Sequence, residues 1–362
     1  MRGPNTVQGG MFSYLSPEVR VPQNHPLRWI KSQADEVLGE MSRVLDDCYS
    51  DMGRPSIPPE HLLKSMLLIA LYTVRSDRLF CEMLDYNILF RWFLDMDLDA
   101  PSFDASSFTK NRERLLEKEV TAKFLLKVVE KAREKKLLSD EHFTVDGTLI
   151  EAWASMKSFQ AKDKKEDKNP PDDPGNPTVD FHGEKRSNAT HESTTDQEAR
   201  LMKKAAGKEA KLCFGGHFLM ENRNGFLVDL SISQATGKSE VDEGLKLVKG
   251  QKKKGWKVGT VGGDKGYHQG RFVRGLRECD VSPHVAVREG WNIEGLDKRT
   301  TEKEGYAISQ RIRKRVEELI GWLKVIGGLR KSRFRGIEKL EQYAQMAGAA
   351  LNLLRMRRLL AG

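Results

Sequence analysis

The sequence predicts an α+β or mixed α/β fold: a mixed sheet with helices on its faces, preceded by an all-helical N-terminal domain. Apolar residues recur at helical spacing through the first third of the chain, and strand-like segments then alternate with helical ones. Hairpin strands followed by alternating strands and helices are typical of such a sheet. The chain has 362 residues, which suits two or three modules. We predict domains at 1–135 and 136–336, with a helical tail at 337–362.

In the N-terminal domain, proline and glutamate mark the start of a buried helix. Pro58, Pro59 and Glu60 suit a first helical turn, because proline needs no hydrogen-bond donor there and an acid faces the positive end of the helix dipole. The segment Leu62–Tyr72 is apolar on most sides, which predicts that this helix is buried. The loop Pro101–Ser107 ends in residues that favour the N-cap of a further helix.

After residue 141 the sequence pattern changes from one typical of helices to one typical of β-strands. His142–Ile150 is rich in β-branched residues and predicts the first strand. Residues 160–198 then contain four prolines, many charges and only two residues of the isoleucine, leucine, valine and phenylalanine class. Such a segment cannot bury enough surface to offset the entropy of ordering. We therefore predict that it is a flexible insertion.

A hairpin and an alternation of strands and helices complete the predicted sheet. Leu212–Glu221 and Phe226–Ser233 flank an Asn-Gly turn, which is typical of a hairpin. The later elements are predicted to be a helix at Glu240–Lys249, a strand at Trp256–Gly263, a helix at His268–Glu278, a strand at Ser282–Val287 and an amphipathic helix at Ser309–Leu323.

Composition and motifs exclude several classes of protein. With 38% apolar and 31% charged residues, the chain is neither disordered nor fibrous in composition. Its longest largely apolar stretch, Met66–Val74, is shorter than the ~18 residues that span a bilayer, and Met1–Asn5 lacks the apolar core of a secretory signal. We expect a cytoplasmic protein with no membrane partner. The four cysteines have no metal or redox spacing, and nucleotide-loop and serine-hydrolase motifs are absent from the sequence.

The charge balance points to a polyanionic partner. The chain has 61 Lys and Arg against 52 Asp and Glu, a net charge of +9, and nucleic acid is the commonest partner of basic proteins. Between Arg299 and Arg335, eleven basic residues stand against four acids. This segment is either a solvated face or a track that neutralises phosphates.

Three acids occupy positions that suit a metal site. Asp146 lies inside the first predicted strand, where a carboxylate is costly unless it is paired or holds a metal. Asp264 ends a later strand, and Glu317 lies beside the apolar stripe of the amphipathic helix, where Arg313 and Lys324 share its face. Two Mg²⁺ ions about 3.5–4 Å apart need carboxylate oxygens from several different elements. These three acids could supply them if they converge.

Each acid also has a purely structural explanation. Asp146 could accept turn hydrogen bonds, Asp264 could cap the helix that follows it, and Glu317 could form a surface ion pair with a nearby arginine. Glu151, on the opposite strand face, and Asp229, on the polar side of the hairpin, are weaker candidates. Spacing alone does not decide between these alternatives.

Taken in their order along the chain, these motifs resemble bacterial DDE transposases of the insertion-sequence-five family. The first-acid strand of that family is similar to Phe143–Thr148, and its second-acid motif is similar to Gly263–Tyr267. Because further similar segments occur on both sides of these motifs, the resemblance runs nearly end to end. Those further segments are His25–Arg28, Gly53–Glu60, Arg91–Phe93, His191–Asp196 and Gly327–Gly336.

The third motif of related transposases reads Tyr-x2-Arg-x3-Glu-x6-Lys. Arg313, Glu317 and Lys324 keep this spacing. The arginine and lysine spacings select Glu317 rather than the adjacent Glu318 as the third acid. Gln310 stands where the tyrosine would be, so no role of that tyrosine is carried over.

The resemblance implies an RNase H-like core in which Asp146, Asp264 and Glu317 are catalytic and bind two Mg²⁺ ions, with Mn²⁺ as a substitute. One ion would activate water and then a DNA 3′-hydroxyl as nucleophile, and the other would stabilise the leaving oxygen. Arg313 and Lys324 would bind DNA phosphate near the scissile bond. The helical N-terminal domain would bind DNA at the element ends.

The implied function is a DNA transposase that binds the terminal inverted repeats of its insertion sequence and catalyses metal-dependent strand cleavage and transfer into target DNA. One alternative is a catalytically silent DNA-binding regulator derived from a transposase, and another is a metal-dependent nuclease on the same fold. Pairing two ends implies a homodimer or larger assembly on double-stranded DNA. A prokaryotic, nucleoid-associated location would follow.

Overall fold

The computed structural model describes residues 14–50, 52, 56–116, 119–162, 186–203 and 209–361. Its helices are α1 (Pro17–Arg20), α2 (Pro26–Glu40), α3 (Ser42–Asp46), α4 (Pro59–Leu71), α5 (Asp77–Tyr86), α6 (Ile88–Phe93), α7 (Ala105–Arg114), α8 (Val120–Glu134), α9 (Ser239–Lys253), α10 (Gly270–Arg277), α11 (Lys298–Thr301), α12 (Glu304–Ile312), α13 (Val316–Val325) and α14 (Ile337–Ala361). Its strands are β1 (His142–Glu151), β2 (Phe159–Ala161), β3 (His191–Ser193), β4 (Arg200–Lys203), β5 (Ala210–Glu221), β6 (Leu227–Gln234), β7 (Thr260–Gly263) and β8 (Ser282–Val285).

The main sheet is mixed, as predicted. Its strand order is β4–β5–β1–β7–β8, and β6 also pairs with β5. β5 runs antiparallel to β1, β4 and β6, whereas β7 runs parallel to both β1 and β8. β1 therefore lies at the centre, with antiparallel strands on one side and parallel strands on the other. The predicted fold class, a mixed sheet preceded by N-terminal helices, is confirmed.

Most predicted elements are present, although several of their boundaries differ from the prediction by one to four residues. The hairpin of β5 and β6 turns at Gly225, whose φ of +75° is accessible to glycine without strain. The predicted strand from Trp256 begins only at Thr260, because its neighbour β1 starts at His142, the residue that pairs with Thr260. The predicted helix at Ser309–Leu323 is interrupted by a 3₁₀ turn that separates α12 from α13.

The last helix, α14, is a central element of the fold. It packs against α2, α4 and α8 on one side and against β6 on the other. The Asn352 amide accepts a hydrogen bond from the Leu227 N–H (3.0 Å) and donates one to the Leu227 carbonyl (2.8 Å). Glu341 accepts from the Ile232 N–H at 2.8 Å. Backbone groups that an edge strand would leave unpaired are thus satisfied by helix side chains.

Because of this packing, the predicted domain boundaries do not separate independent apolar cores. The boundary at residue 135 falls between α8 and β1, but one contiguous apolar core includes residues on both sides of it. The segment predicted as a tail at 337–362 joins the N-terminal helices to the sheet. Residues 1–13, and residues 53–55 of one segment similar to the transposase family, lie outside the described residues.

The predicted insertion at 160–198 has ordered ends. β2 pairs with β3, and the Ser158 and Ser193 hydroxyls are 2.8 Å apart. The Asp196 carboxylate accepts a hydrogen bond from the Gly336 N–H at 3.1 Å. These hydrogen bonds, together with the stacking of His191 on the buried Phe159 ring, order both ends, so the insertion is narrower than predicted. Residues 163–185 lie outside the described residues, and their flexibility stays a prediction.

Two further features bear on the expectations from composition. No helix in the described ranges is both long and apolar enough to cross a membrane. None of the four cysteines is joined in a disulfide.

We predict that Asn352→Leu lowers the free energy of unfolding by about 2–4 kcal/mol, because leucine would leave the buried N–H and carbonyl of Leu227 unpaired. Urea unfolding followed by circular dichroism measures this loss. Leu353→Met, a volume-conserving change at the adjacent buried residue, is the control and should cost less than about 1.5 kcal/mol. Equal losses in the two variants would show that the sheet edge does not depend on this amide.

Candidate active site

The sheet register places two of the predicted acids on adjacent strands. Asp146 lies in β1 and Asp264 directly follows β7. The two strands are parallel, and Thr144 is paired with Gly262. Each acid lies two residues beyond this pair, so the two occupy matching positions at the same end of the sheet. Functional groups commonly gather at the carboxyl ends of parallel strands.

Arg313 lies on the sheet face to which Asp146 points. Side chains alternate along a strand, so Thr144 and Asp146 share one face of β1. A Cβ added to Gly262 would lie 3.4 Å from Thr144 Oγ1 and 3.7 Å from Arg313 Cβ. The 3₁₀ turn that carries Arg313 leads directly into α13, which also contacts β1.

The electrostatics of Asp146 link the predicted residues. The pKa of Asp146 is raised to about 6, mainly by burial and also by the Asp264 and Glu317 carboxylates, against the lowering effects of a hydrogen bond from the Gly147 N–H (2.8 Å) and the Arg313 charge. A carboxylate in such surroundings resists ionisation unless a positive charge compensates it. The charges of Asp264, Glu317 and Arg313 therefore all act on the Asp146 carboxyl.

The donor set fits a hard divalent cation. In the described ranges, no group of three or more His, Cys, Asp or Glu side chains already converges as a metal-binding cluster. The three acids nevertheless supply carboxylate oxygens from a strand, a loop and a helix, and their charges act on one another. Mg²⁺ takes one or two carboxylates together with several waters. This arrangement therefore suits Mg²⁺ better than a closed cage of protein ligands would.

Asp264 also has the capping role that its position suggested. Its Oδ1 accepts a hydrogen bond from the Gly266 N–H at 2.6 Å and caps the short 3₁₀ turn Lys265–Tyr267. A Cβ at residue 266 would lie 2.8 Å from that oxygen. This bond orients the carboxylate, so the structural and functional explanations of Asp264 are compatible.

The structure separates the two adjacent glutamates of α13. Glu318 forms an ion pair with Arg355 of α14 at 3.1 Å. Glu317 instead contributes its charge to the surroundings of Asp146. The motif spacing selects Glu317, and its assignment as the third acid stays a prediction.

Gln310 holds Arg313 against the sheet. Its side-chain oxygen accepts a hydrogen bond from Arg313 Nε at 3.0 Å, and its amide nitrogen donates to the backbone carbonyl of His284 in β8. The residue that departs from the family pattern therefore positions the arginine of the same motif.

The remaining predicted residues lie further from the acids. Lys324 is half-buried and lies seven residues beyond Glu317 on α13, about 10 Å along the helix axis. Its phosphate contact stays a prediction. Glu151 pairs with Lys211 at 3.3 Å, and Asp229 pairs with Lys254 at 3.2 Å. These ion pairs explain Glu151 and Asp229 without a role in the site.

Sequence analysis missed one acid, Glu240, in the first turn of α9. Burial, followed by the charges of Asp264 and Asp146, raises the pKa of Glu240 to about 7. A Cβ at Gly147 would lie only 2.8 Å from Glu240 Oε1. Acids are common in first helical turns because they stabilise the helix dipole, so its position alone did not distinguish it.

Two family models match the sequence. A transposase domain (DUF772) covers residues 15–114, which correspond to the helices from α1 to α7. A transposase DDE domain covers residues 178–353, a range that contains Asp264, Arg313, Glu317 and Lys324. Asp146 precedes that range.

The other comparisons are less informative. A search of the curated proteins found no match. Among solved structures, the cryo-EM structure of a piggyBac transposase synaptic complex with hairpin DNA is similar over 95% of this chain and 78% of that chain, with 12% identity and a TM-score of 0.44. This degree of similarity is too low to bear on fold or activity.

We predict that Asp146→Asn raises the free energy of unfolding by about 1–3 kcal/mol at pH 7.5 in the absence of divalent cations. The pKa of Asp146 is about 6 in the folded protein, against an ordinary value of 3.8 for an aspartate carboxyl. Wild-type stability therefore falls as the pH rises from about 4 through about 6, and the variant lacks this loss. Urea unfolding in chelator at several pH values measures the difference.

The gain should disappear near pH 4, where the wild-type carboxyl is protonated in the folded protein. Glu289→Gln, at an exposed position, is the control and should change stability little at any pH. If Asp146→Asn is less stable than wild type at pH 7.5, burial and repulsion do not destabilise the Asp146 carboxylate in the folded protein.

Proposed function

We propose that this chain, which matches a transposase domain and a transposase DDE domain, is a DDE transposase that binds the terminal inverted repeats of a mobile element and catalyses metal-dependent strand cleavage and transfer at their ends. The observation that carries the proposal is the sheet geometry: Asp146 and Asp264 lie at matching positions on adjacent parallel strands, and Arg313 of the third motif lies on the face to which Asp146 points. The mixed sheet fits the RNase H-like core of a DDE transposase domain.

Within this site, Asp146, Asp264 and Glu317 would bind two Mg²⁺ ions. The chemistry that bound Mg²⁺ supplies is activation of the attacking oxygen and stabilisation of the leaving oxygen. Arg313 would neutralise the phosphate beside the scissile bond, and Gln310 would keep it in place. Asp264 is already oriented by the Gly266 N–H.

The basic segment from Arg299 to Arg335 supports binding to the DNA backbone. Most of its cations are exposed, and three are half-buried: Arg313, Lys324 and Arg333. Arg333 donates to the Val74 carbonyl at 2.7 Å and so has a structural contact. Among the exposed cations, Arg299 pairs with Asp297, Arg315 donates to the Arg223 carbonyl at 2.9 Å and Lys331 pairs with Glu151. The other exposed cations of the segment, which would contact phosphates, are Lys303, Arg311, Lys314, Arg330 and Arg335.

We predict that Glu317→Gln reduces strand cleavage by about 100-fold or more, a loss of roughly 2.7 kcal/mol of transition-state stabilisation, and leaves DNA binding intact. The assay uses a labelled duplex that carries the end of the element, with Mg²⁺ or Mn²⁺. Glu318→Gln is the matched control, because Glu318 pairs with Arg355 instead, and it should retain cleavage.

Other results would favour the alternative functions. DNA binding without cleavage by the wild-type protein, with either metal, would indicate a catalytically silent regulator. Cleavage without joining of the cut ends to target DNA would indicate a nuclease. Equal activity of Glu317→Gln and wild type would remove Glu317 from the site.

We further predict that Arg313→Gln and Lys324→Gln each reduce the slope of log K against log salt concentration for DNA binding by about 1, because each removes one phosphate contact. Fluorescence anisotropy at several salt concentrations gives the slope. Lys135→Gln, an exposed cation at the end of α8, should leave the slope unchanged. An unchanged slope in the two site variants would place the DNA elsewhere.

A further inference from the structure

We infer that Glu240 supplies a fourth carboxylate to the cation site of Asp146 and Asp264, which it reaches from the opposite face of the sheet. The inference rests on the proposed function, since it concerns the cations that this function requires. Glu240 lies in α9, between the hairpin and β7, and belongs to none of the motifs that the sequence revealed.

Because Gly147 has no side chain, the Glu240 side chain can lie close to strand β1 at this position. Successive residues of a strand point to opposite faces, so position 147 faces away from the Asp146 side chain. A Cβ at Gly147 would lie 2.8 Å from Glu240 Oε1 and 3.1 Å from both Cγ and Cδ. The Glu240 side chain therefore occupies the space in which any other residue at 147 would place its Cβ.

Two carboxylates meet at a single backbone amide. The Gly147 N–H donates a hydrogen bond to Asp146 Oδ1 at 2.8 Å, and the same N–H also favours the ionised form of Glu240. The charges of Asp264 and Asp146 oppose that ionisation. Like charges that share a buried site are costly unless a cation is present.

A buried hydroxyl provides an independent observation. The Tyr267 side chain is fully buried, and its hydroxyl has no hydrogen-bond partner among the described residues. Its ring lies against Gly244, where a Cβ would be 3.0 Å from Tyr267 Cε1. Gly244 follows Glu240 by one helical turn, so both lie on one face of α9.

The Tyr267 hydroxyl faces the acids. Burial is the main cause that raises the pKa of Tyr267, and the charges of Glu240, Asp146 and Asp264 raise it further, in that order. Buried polar groups are normally hydrogen-bonded, so an unpaired one indicates a partner that completes the site. Under this inference, the hydroxyl would donate a hydrogen bond to Glu240 when that carboxylate binds a cation.

The resulting site has acids on both faces of the sheet. Glu317 approaches Asp146 from α13, and Glu240 approaches it from α9. With Asp264 included, the four carboxylates carry a formal charge of −4, which matches two divalent cations.

The experiment measures Mn²⁺ binding to the full-length protein by electron paramagnetic resonance, without DNA. Glu240→Gln should weaken Mn²⁺ binding by about tenfold or more, and Gly147→Ala should do the same because its methyl group displaces Glu240. Tyr267→Phe should weaken binding about threefold. Asp242→Asn is the matched control, because Asp242 lies on the same helix and pairs with Arg271, and it should bind Mn²⁺ as wild type does.

Stability without metal provides a second readout. At pH 7.5 in chelator, Glu240→Gln should raise the urea midpoint, because it removes a repelling charge. A merely structural glutamate would give a lower midpoint, and that result would overturn the inference.

Asp146→Asn separates this inference from the proposed function. If Asp146→Asn loses Mn²⁺ binding while Glu240→Gln stays within twofold of wild type, the role of Glu240 is overturned and the proposed function stands. If both variants bind as wild type does, the proposed cation site fails as well. Unchanged binding by Tyr267→Phe alone would overturn the part assigned to the hydroxyl.

Discussion

The structure depends on how the free edge of β6 is satisfied. An uncovered edge strand exposes unpaired N–H and carbonyl groups, and here Asn352 and Glu341 of α14 bond to that edge. The same helix packs against the N-terminal helices and, through Arg355, forms an ion pair with Glu318 of α13. That ion pair leaves the adjacent Glu317 to act on Asp146. The helix that satisfies the backbone groups of the sheet edge therefore also forms an ion pair next to a candidate catalytic acid.

The site combines two opposing demands. The Asp146 and Glu240 carboxyls are largely buried near other acids, so the folded chain is less stable than it would be with neutral side chains at these positions. Cations that bind only the folded state return this free energy. Arg313 offsets part of the repulsion, and the hydrogen bonds from Gly147 and Gly266 hold two of the carboxylates in place.

Sequence reasoning predicted the features that depend on local pattern. The strand at His142 and the hairpin followed from β-branched residues and an Asn-Gly step, and Glu317 followed from motif spacing. The 3₁₀ turn before α13 has nearly the same residue period as a helix, so no pattern marked it. The central position of α14 and the approach of Glu240 depend on contacts between distant segments, which periodicity does not encode.

The pairing of β2 with β3 has a consequence for how this chain can change in evolution. Ala161 lies opposite His191, so the points where the chain leaves the core and returns to it are neighbours. Chain length between fixed neighbours can vary at small entropic cost, since each doubling of a flexible loop costs only about 0.6 kcal/mol. Residues can therefore be gained or lost between these two strands without moving the sheet. This makes the position suitable for acquiring an additional module while the acids keep their arrangement.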